Sequence, residues 1–258
     1  MKKNLIIIFF LLFSAVGSAD QAFPQVYRFK DKDGVLHFTD TPTDQKFTRP
    51  YQEPGRVGYQ IAYHVENPAM EASSNRLEYI MNAVISLQSG KKVGSGFIIN
   101  PQGFAVTNYH VIADASDMKA TGKNQKAFDV HVLQTDREKD LALIKISGQG
   151  HSFLPLATEP EALAGKDVYV IGSPLGFSHT LSKGIVSAVR KINIPNAKTI
   201  TLIQTDALTN LGNSGGPLVT FDGLVLGVIT LKVMQVQGIS FAVSSHDIVS
   251  SLNLLPPK

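Results

Sequence analysis

From about residue 71 onward the sequence is a succession of short β-rich runs divided by glycine or asparagine: 83–87, 94–99, 104–107, 130–133, 141–146, 167–171, 184–189, 200–204, 218–219, 224–230 and 239–243. Short strands spaced this way belong to all-β sandwiches and barrels, because each break supplies a turn and each run crosses one small sheet. The stretch 148–165 contains glycines and prolines and parts the runs into two groups of similar size. Two barrels therefore fit better than one, the first over about 80–147 and the second over about 165–243. Ser245 is expected to cap a closing helix over 246–254 that packs Ile248, Leu252 and Leu255 on one side.

The residues before 71 are organised differently. Lys2 and Lys3 precede an unbroken apolar run, 5–13, which is followed by the small residues of 14–19. A charged start, an apolar centre and a small-residue end predict a signal peptide over 1–19, cut before Asp20. The apolar run is too short for a membrane anchor, which needs about 20 residues. The mature chain is thus expected to be exported with no stable membrane span, to the periplasm first and to the medium as the alternative. The runs 26–29 and 35–38 flank Asp31-Lys32-Asp33-Gly34, whose Asp-Gly pair suits a tight hairpin turn. A calcium loop fails on count, because its glycine belongs at position 6 and here falls at position 4. A small β-hairpin module over 20–45 and a linker over 46–70 follow, since four of the thirteen prolines lie between Thr41 and Pro68. The stretch 27–42, YRFKDKDGVLHFTDTP, resembles a small domain of unknown function found at the start of many proteobacterial exported proteins.

Composition narrows the chemistry. The absence of cysteine excludes disulfides, cysteine nucleophiles and thiolate metal sites. The 24 basic and 21 acidic residues give +3, and removing Lys2 and Lys3 leaves 22 minus 21, or +1. So small a charge makes no electrostatic case for nucleic acid. The seven histidines contain no close ligand pair of the HExxH kind, so neither a metal site nor a cofactor is expected.

Three segments carry reactive side chains: Thr107-Asn108-Tyr109-His110-Val111, Lys139-Asp140-Leu141-Ala142-Leu143, and Gly212-Asn213-Ser214-Gly215-Gly216-Pro217. A serine hydroxyl is a weak nucleophile and needs a base within hydrogen-bond reach. The imidazole in turn needs a carboxylate that sets its tautomer. Glycine beside such a serine lets backbone N–H groups approach the oxyanion of a tetrahedral intermediate, here from Gly212 and Ser214.

The order His, Asp, Ser on a two-barrel β protein resembles the chymotrypsin fold. The set GSGFIINPQGFAVTNYHV, DLALIKI, VIGSPLG, GIVSA, IQTDA, GNSGGPL and GISFAV, running from Gly94 to Val243, resembles more closely the HtrA/Deg family of envelope serine proteases. That resemblance implies two six-stranded antiparallel β-barrels within a protease domain over 71–258. It also implies His110 as general base, Asp140 as its orienting carboxylate and Ser214 as nucleophile, cleaving peptide bonds of protein or peptide substrates through an acyl-enzyme. Many relatives carry PDZ domains after the protease; a chain ending at Lys258 is expected to have none. Relatives also form trimers, which makes a homo-oligomer an open expectation.

Digestive chymotrypsin-type enzymes carry an aspartate before the serine that pairs with a new amino terminus. Asn213 stands there instead, so activation by that ion pair is not expected. Leu208, six residues before the serine, is expected at the base of the specificity pocket, with Val228, Ile229 and Thr230 along a wall. An apolar base would leave a basic substrate side chain unpaired, which points to small or medium apolar side chains at P1. The competing reading is a non-proteolytic or latent binding module, chaperone-like, on the same fold.

Overall fold

The computed structural model describes residues 27–30, 36–39, 61–90, 92–113, 118–158, 164–173, 179–193, 199–210, 212–232 and 238–255. The expected signal peptide, the Asp-Gly turn and residues 46–60 of the expected linker lie outside the described residues. The chain divides into two units, Met1–Glu53 and Pro54–Lys258. In the first, β1 (Tyr27–Lys30) and β2 (Leu36–Thr39) pair antiparallel, with Tyr27 opposite Thr39.

The second unit begins with β3 (Ile61–Ala62), α1 (Pro68–Glu71) and α2 (Arg76–Asn82). Asn67 and Asn75 cap the two helices by accepting from Met70 N–H and Glu78 N–H. A closed barrel of six antiparallel strands follows: β4 (Val84–Ser89), β5 (Lys92–Ile98), β6 (Phe104–Thr107), β7 (Met118–Gly122), β8 (Ala127–Asp136) and β9 (Leu141–Ile146). They run around the barrel as β4-β5-β6-β9-β8-β7, and the single-turn α3 (Tyr109–Ile112) sits between β6 and β7. A second closed barrel is ordered β10-β11-β12-β15-β14-β13, from β10 (Asp167–Gly172), β11 (Thr180–Ile192), β12 (Ile200–Thr205), β13 (Pro217–Val219), β14 (Val225–Lys232) and β15 (Ser240–Ser244). This is the two-barrel architecture that the resemblance implied.

The period of two in Leu141-Ala142-Leu143-Ile144-Lys145-Ile146 explains how the barrels join. Ala142, Ile144 and Ile146 fill the first barrel. Leu141 and Leu143 point the other way, into a core shared with Ile171, Val219, Val228 and Val243 of the second barrel. Both faces of β9 are therefore buried, and burying each such leucine contributes about 1.5–3 kcal/mol. A third cluster, with Val168, Val170, Ile203 and Leu226, fills the second barrel.

Two local expectations are corrected. The closing helix, α4 (Ser245–Ser251), is capped by Ser244, whose hydroxyl accepts from Asp247 N–H; Ser245 is its first residue. It stops short of 254 because Asn253 takes a left-handed φ of 48°, after which β16 (Leu254–Leu255) pairs in parallel with β3. The strand β7 was not expected at all. Its sequence, MKATG, has little β character, yet it pairs with both β4 and β8 and closes the first barrel.

His179, just before β11, ties the barrels together by donating from Nε2 to the Val84 carbonyl at 2.7 Å. Its Nδ1 is buried with no partner among the described residues. Burial holds its pKa below the ordinary 6.5; the Val84 bond opposes this, Lys123 adds to it, and Glu78 opposes it. The unfolded chain therefore takes up this proton at higher pH than the folded one. Its contribution is intact above about pH 6.5 and is lost as pH falls below that, levelling once the folded imidazole is charged. Urea denaturation at about pH 7.5 and about pH 5.5 should show wild type losing more stability on acidification than His179→Gln. Equal losses would contradict this. His151, also lowered chiefly by burial, is common to both proteins and cancels.

Candidate active site

Strand β6 ends at Thr107, and Asn108 turns the chain into α3 with an extended φ and ψ of −82° and 149°. This places His110 in the first turn of α3, on the rim of the first barrel. Asp140 ends the turn before β9 with a φ of 54°, a left-handed conformation that aspartate tolerates better than most residues. Its backbone carbonyl accepts from Tyr109 N–H at 3.2 Å and Asn108 Nδ2 at 2.9 Å. Its carboxylate accepts from the other direction: Oδ1 from His110 N–H at 2.9 Å, and Oδ2 from His110 Nδ1 at 2.7 Å. A carboxylate only accepts, so Nδ1 carries the imidazole proton and Nε2 presents a lone pair.

The second barrel contributes to the same carboxylate. Thr230 Oγ1, on β14, donates to Asp140 Oδ2 at 2.6 Å. Thr230 was expected in a pocket wall; its hydroxyl also helps to hold the aspartate, a contact that only the meeting of two barrels reveals.

The serine loop is stitched to both barrels. Gly215 N–H donates to Ile229 O at 2.8 Å, and Ile229 N–H to Gly216 O at 2.9 Å, both on β14. Ser95 N–H, on β5, donates to Ser214 O at 2.8 Å. Gly212 and Gly215 have φ of 99° and 83°, values that L side chains rarely adopt. A Cβ on Gly215 would also collide with Ser95 O and Thr107 Oγ1. Among the described residues, the backbone hydrogen bonds of this loop use the N–H groups of Asn213, Gly215 and Gly216 and leave out those of Gly212 and Ser214.

Asn213 is buried against Gly172, and its Oδ1 has no partner among the described residues. A charged aspartate in that slot would be costly, which accounts for an amide there. Ser214 itself is half-buried. The hydrogen bonds among the described residues include the His110–Asp140 pair but none from the Ser214 hydroxyl to His110. Such contacts are commonly loose before a substrate is bound.

The expected pocket residues are dispersed. Leu208 is 64% exposed. Val228 and Ile229 are 0% and 2% exposed and belong to the shared core and the second-barrel core. Their side chains go to these two cores because neighbouring residues of β14 face opposite hydrophobic interiors. Sequence reasoning also missed Ser95. The signal was present in the glycines that flank it in Gly94-Ser95-Gly96, a spacing that permits close backbone approach on both sides.

A family model described as a trypsin-like peptidase domain matches residues 94–228, more than half of the chain. A domain of unknown function (DUF4124) matches residues 10–74, beyond the 27–42 stretch that carried the resemblance. The chain is 40% identical over 159 residues to a probable periplasmic serine endoprotease DegP-like of Pseudomonas fluorescens, covering 60% of this chain and 33% of that protein. It is 40% identical over 160 residues to the serine protease HTRA1 of Xenopus laevis, covering 60% and 34%. It thus spans about a third of the length of the curated relatives it matches. The crystal structure of the serine endoprotease from Yersinia pestis superposes with a TM-score of 0.61 at 29% identity, covering 69% of this chain and 64% of that one.

Proposed function

The chain belongs to the trypsin-like peptidase family, and from that membership we propose that it is an exported serine endopeptidase that hydrolyses unfolded proteins of a bacterial envelope. The observation that supports this best is the double hold of Asp140 on His110, through the backbone N–H and through Nδ1. It leaves Nε2 as the basic atom. In the proposed reaction Ser214 Oγ attacks the scissile carbonyl carbon as its proton passes to His110 Nε2. The N–H groups of Gly212 and Ser214 stabilise the oxyanion. Collapse expels the amine, protonated by His110, and leaves an acyl-enzyme. Water, deprotonated by the same imidazole, then releases the carboxylic acid and restores Ser214.

Residues 1–19 as signal peptide, 20–45 as hairpin module, 46–70 as linker and 71–258 as protease domain complete the proposal, with the periplasm as the compartment. The lack of a Ser214–His110 hydrogen bond among the described residues favours one second reading, a latent or purely binding module. Digestion of an unfolded protein by the mature chain, beside Ser214→Ala, separates the two. Fragments that depend on Ser214, with P1 dominated by small or medium apolar residues by mass spectrometry, are expected. Equal absence of cleavage in both would move the function to binding, and a basic or acidic P1 profile would overturn the specificity.

A further inference from the structure

Ser95 is fully buried on β5 of the first barrel and takes part in four hydrogen bonds, three of which reach the second barrel. Its N–H donates to Ser214 O at 2.8 Å. Its hydroxyl donates to Gly212 O at 2.7 Å and accepts from Ser173 N–H, at the end of β10, at 2.9 Å. Its own carbonyl accepts from Thr107 Oγ1 at 2.6 Å, three residues before His110. One side chain thus joins a first-barrel strand, the second-barrel segment at Ser173 and the loop that carries the serine.

We propose that the Ser95 hydroxyl is a positioning residue for the oxyanion site, holding the Gly212 carbonyl so that the Gly212 and Ser214 N–H groups stay aimed at the reacting oxygen. This rests on the hydrolase reading above. The physical need comes from glycine. Gly212 reaches its φ of 99° without steric cost, but for the same reason nothing in its own covalent structure holds it there. The peptide planes on either side of Gly212 turn about a Cα that carries no side chain, so the direction of its N–H is a soft coordinate. Anchoring its carbonyl fixes one of those planes. The bond from Ser95 N–H to Ser214 O fixes the other donor residue from the same strand.

The hydroxyl is suited to this because it donates and accepts at once. The chain Ser173 N–H to Ser95 Oγ–H to Gly212 O aligns three dipoles head to tail in a buried setting, where such chains reinforce one another. Alanine at 95 would keep the backbone bond to Ser214 and remove only this relay. The variant therefore separates hydroxyl positioning from strand pairing.

The test compares wild type, Ser95→Ala and Ser214→Ala on one peptide amide substrate, with binding of a peptide boronic acid that forms a tetrahedral adduct on the serine. Losing one oxyanion donor typically costs about 10²–10³ in turnover, so a misaimed donor should lower kcat by about 100-fold. KM should stay within about twofold and boronate affinity should fall in step with kcat, since both report the tetrahedral state. A folded Ser95→Ala with unchanged kcat, or with raised KM and intact kcat, would overturn the proposal. If Ser95→Ala does not fold, Ser95→Thr and Ser95→Cys decide. The hydroxyl-bearing variant must keep kcat near wild type while the weakly donating thiol loses it, and equal activity of the two would refute the role. If wild type shows no turnover dependent on Ser214, the hydrolase reading fails by itself. Hydrogen exchange then judges the clamp: faster exchange across 212–216 in Ser95→Ala supports it, and unchanged exchange overturns it.

Discussion

Ser214→Ala is expected to lower kcat by about 10⁶-fold and Asp140→Asn by about 10⁴-fold, the sizes these changes have in the serine-protease template. The first removes the proposed nucleophile. The second follows from the geometry of one carboxylate. Asp140 Oδ1 accepts His110 N–H, and Oδ2 accepts both His110 Nδ1–H and Thr230 Oγ–H. An asparagine amide at the Oδ2 position would donate where two donors already point. The imidazole would then have to carry its proton on Nε2, facing Ser214, where it cannot act as base. Turning the amide over would instead set its NH₂ against His110 N–H. Neither orientation satisfies all three contacts. Steady-state kinetics on a peptide amide, with circular dichroism to show unchanged folding, checks both variants. A loss of less than about tenfold in Asp140→Asn would show that another group orients the histidine.

Asp247→Ala is expected to cost about 3–5 kcal/mol of folding stability, a large share of the 5–15 kcal/mol typical of a domain. The Lys139 ammonium pairs with Asp247 Oδ1, and the two side chains are only 6% and 4% exposed. Asp247 Oδ2 also accepts Thr201 N–H at 2.7 Å and the Ser244 hydroxyl at 3.0 Å. Removing the carboxylate leaves a buried ammonium without its counter-charge and takes the acceptor from two buried donors. Lys139→Met should cost less, because Asp247 keeps the Thr201 and Ser244 contacts. Lys139 adjoins Asp140, so the pair also tethers the turn bearing the carboxylate to the helix that follows the second barrel. Urea denaturation monitored by far-ultraviolet circular dichroism gives the values. Stability within about 1 kcal/mol of wild type in Asp247→Ala would show that water replaces these contacts.

What was legible in the sequence was local. Strands such as β9 were readable because apolar side chains alternate or run together wherever a strand is buried, and this needs no partner to be seen. The serine loop was readable because only glycine accommodates its backbone at 212 and 215. The strand β7 was not, because MKATG is held by pairing with β4 and β8 on either side and has little intrinsic preference of its own. The end of α4 was misplaced for a similar reason: its apolar pattern continues through Leu254 and Leu255, but those residues pair with β3, almost two hundred residues earlier in the chain.

The candidate site divides along the same line. Residue types and their order named His110, Asp140 and Ser214, and the two-barrel class followed from run spacing and motif order. Only the tertiary structure brought Thr230 onto Asp140, put Ser95 beneath Gly212 and Ser214, turned Val228 and Ile229 into the cores and left Leu208 in the open. Each of these depends on how one barrel is set against the other. A period-two pattern says that a side chain leaves one face of a strand, and it carries no information about which distant residue waits there.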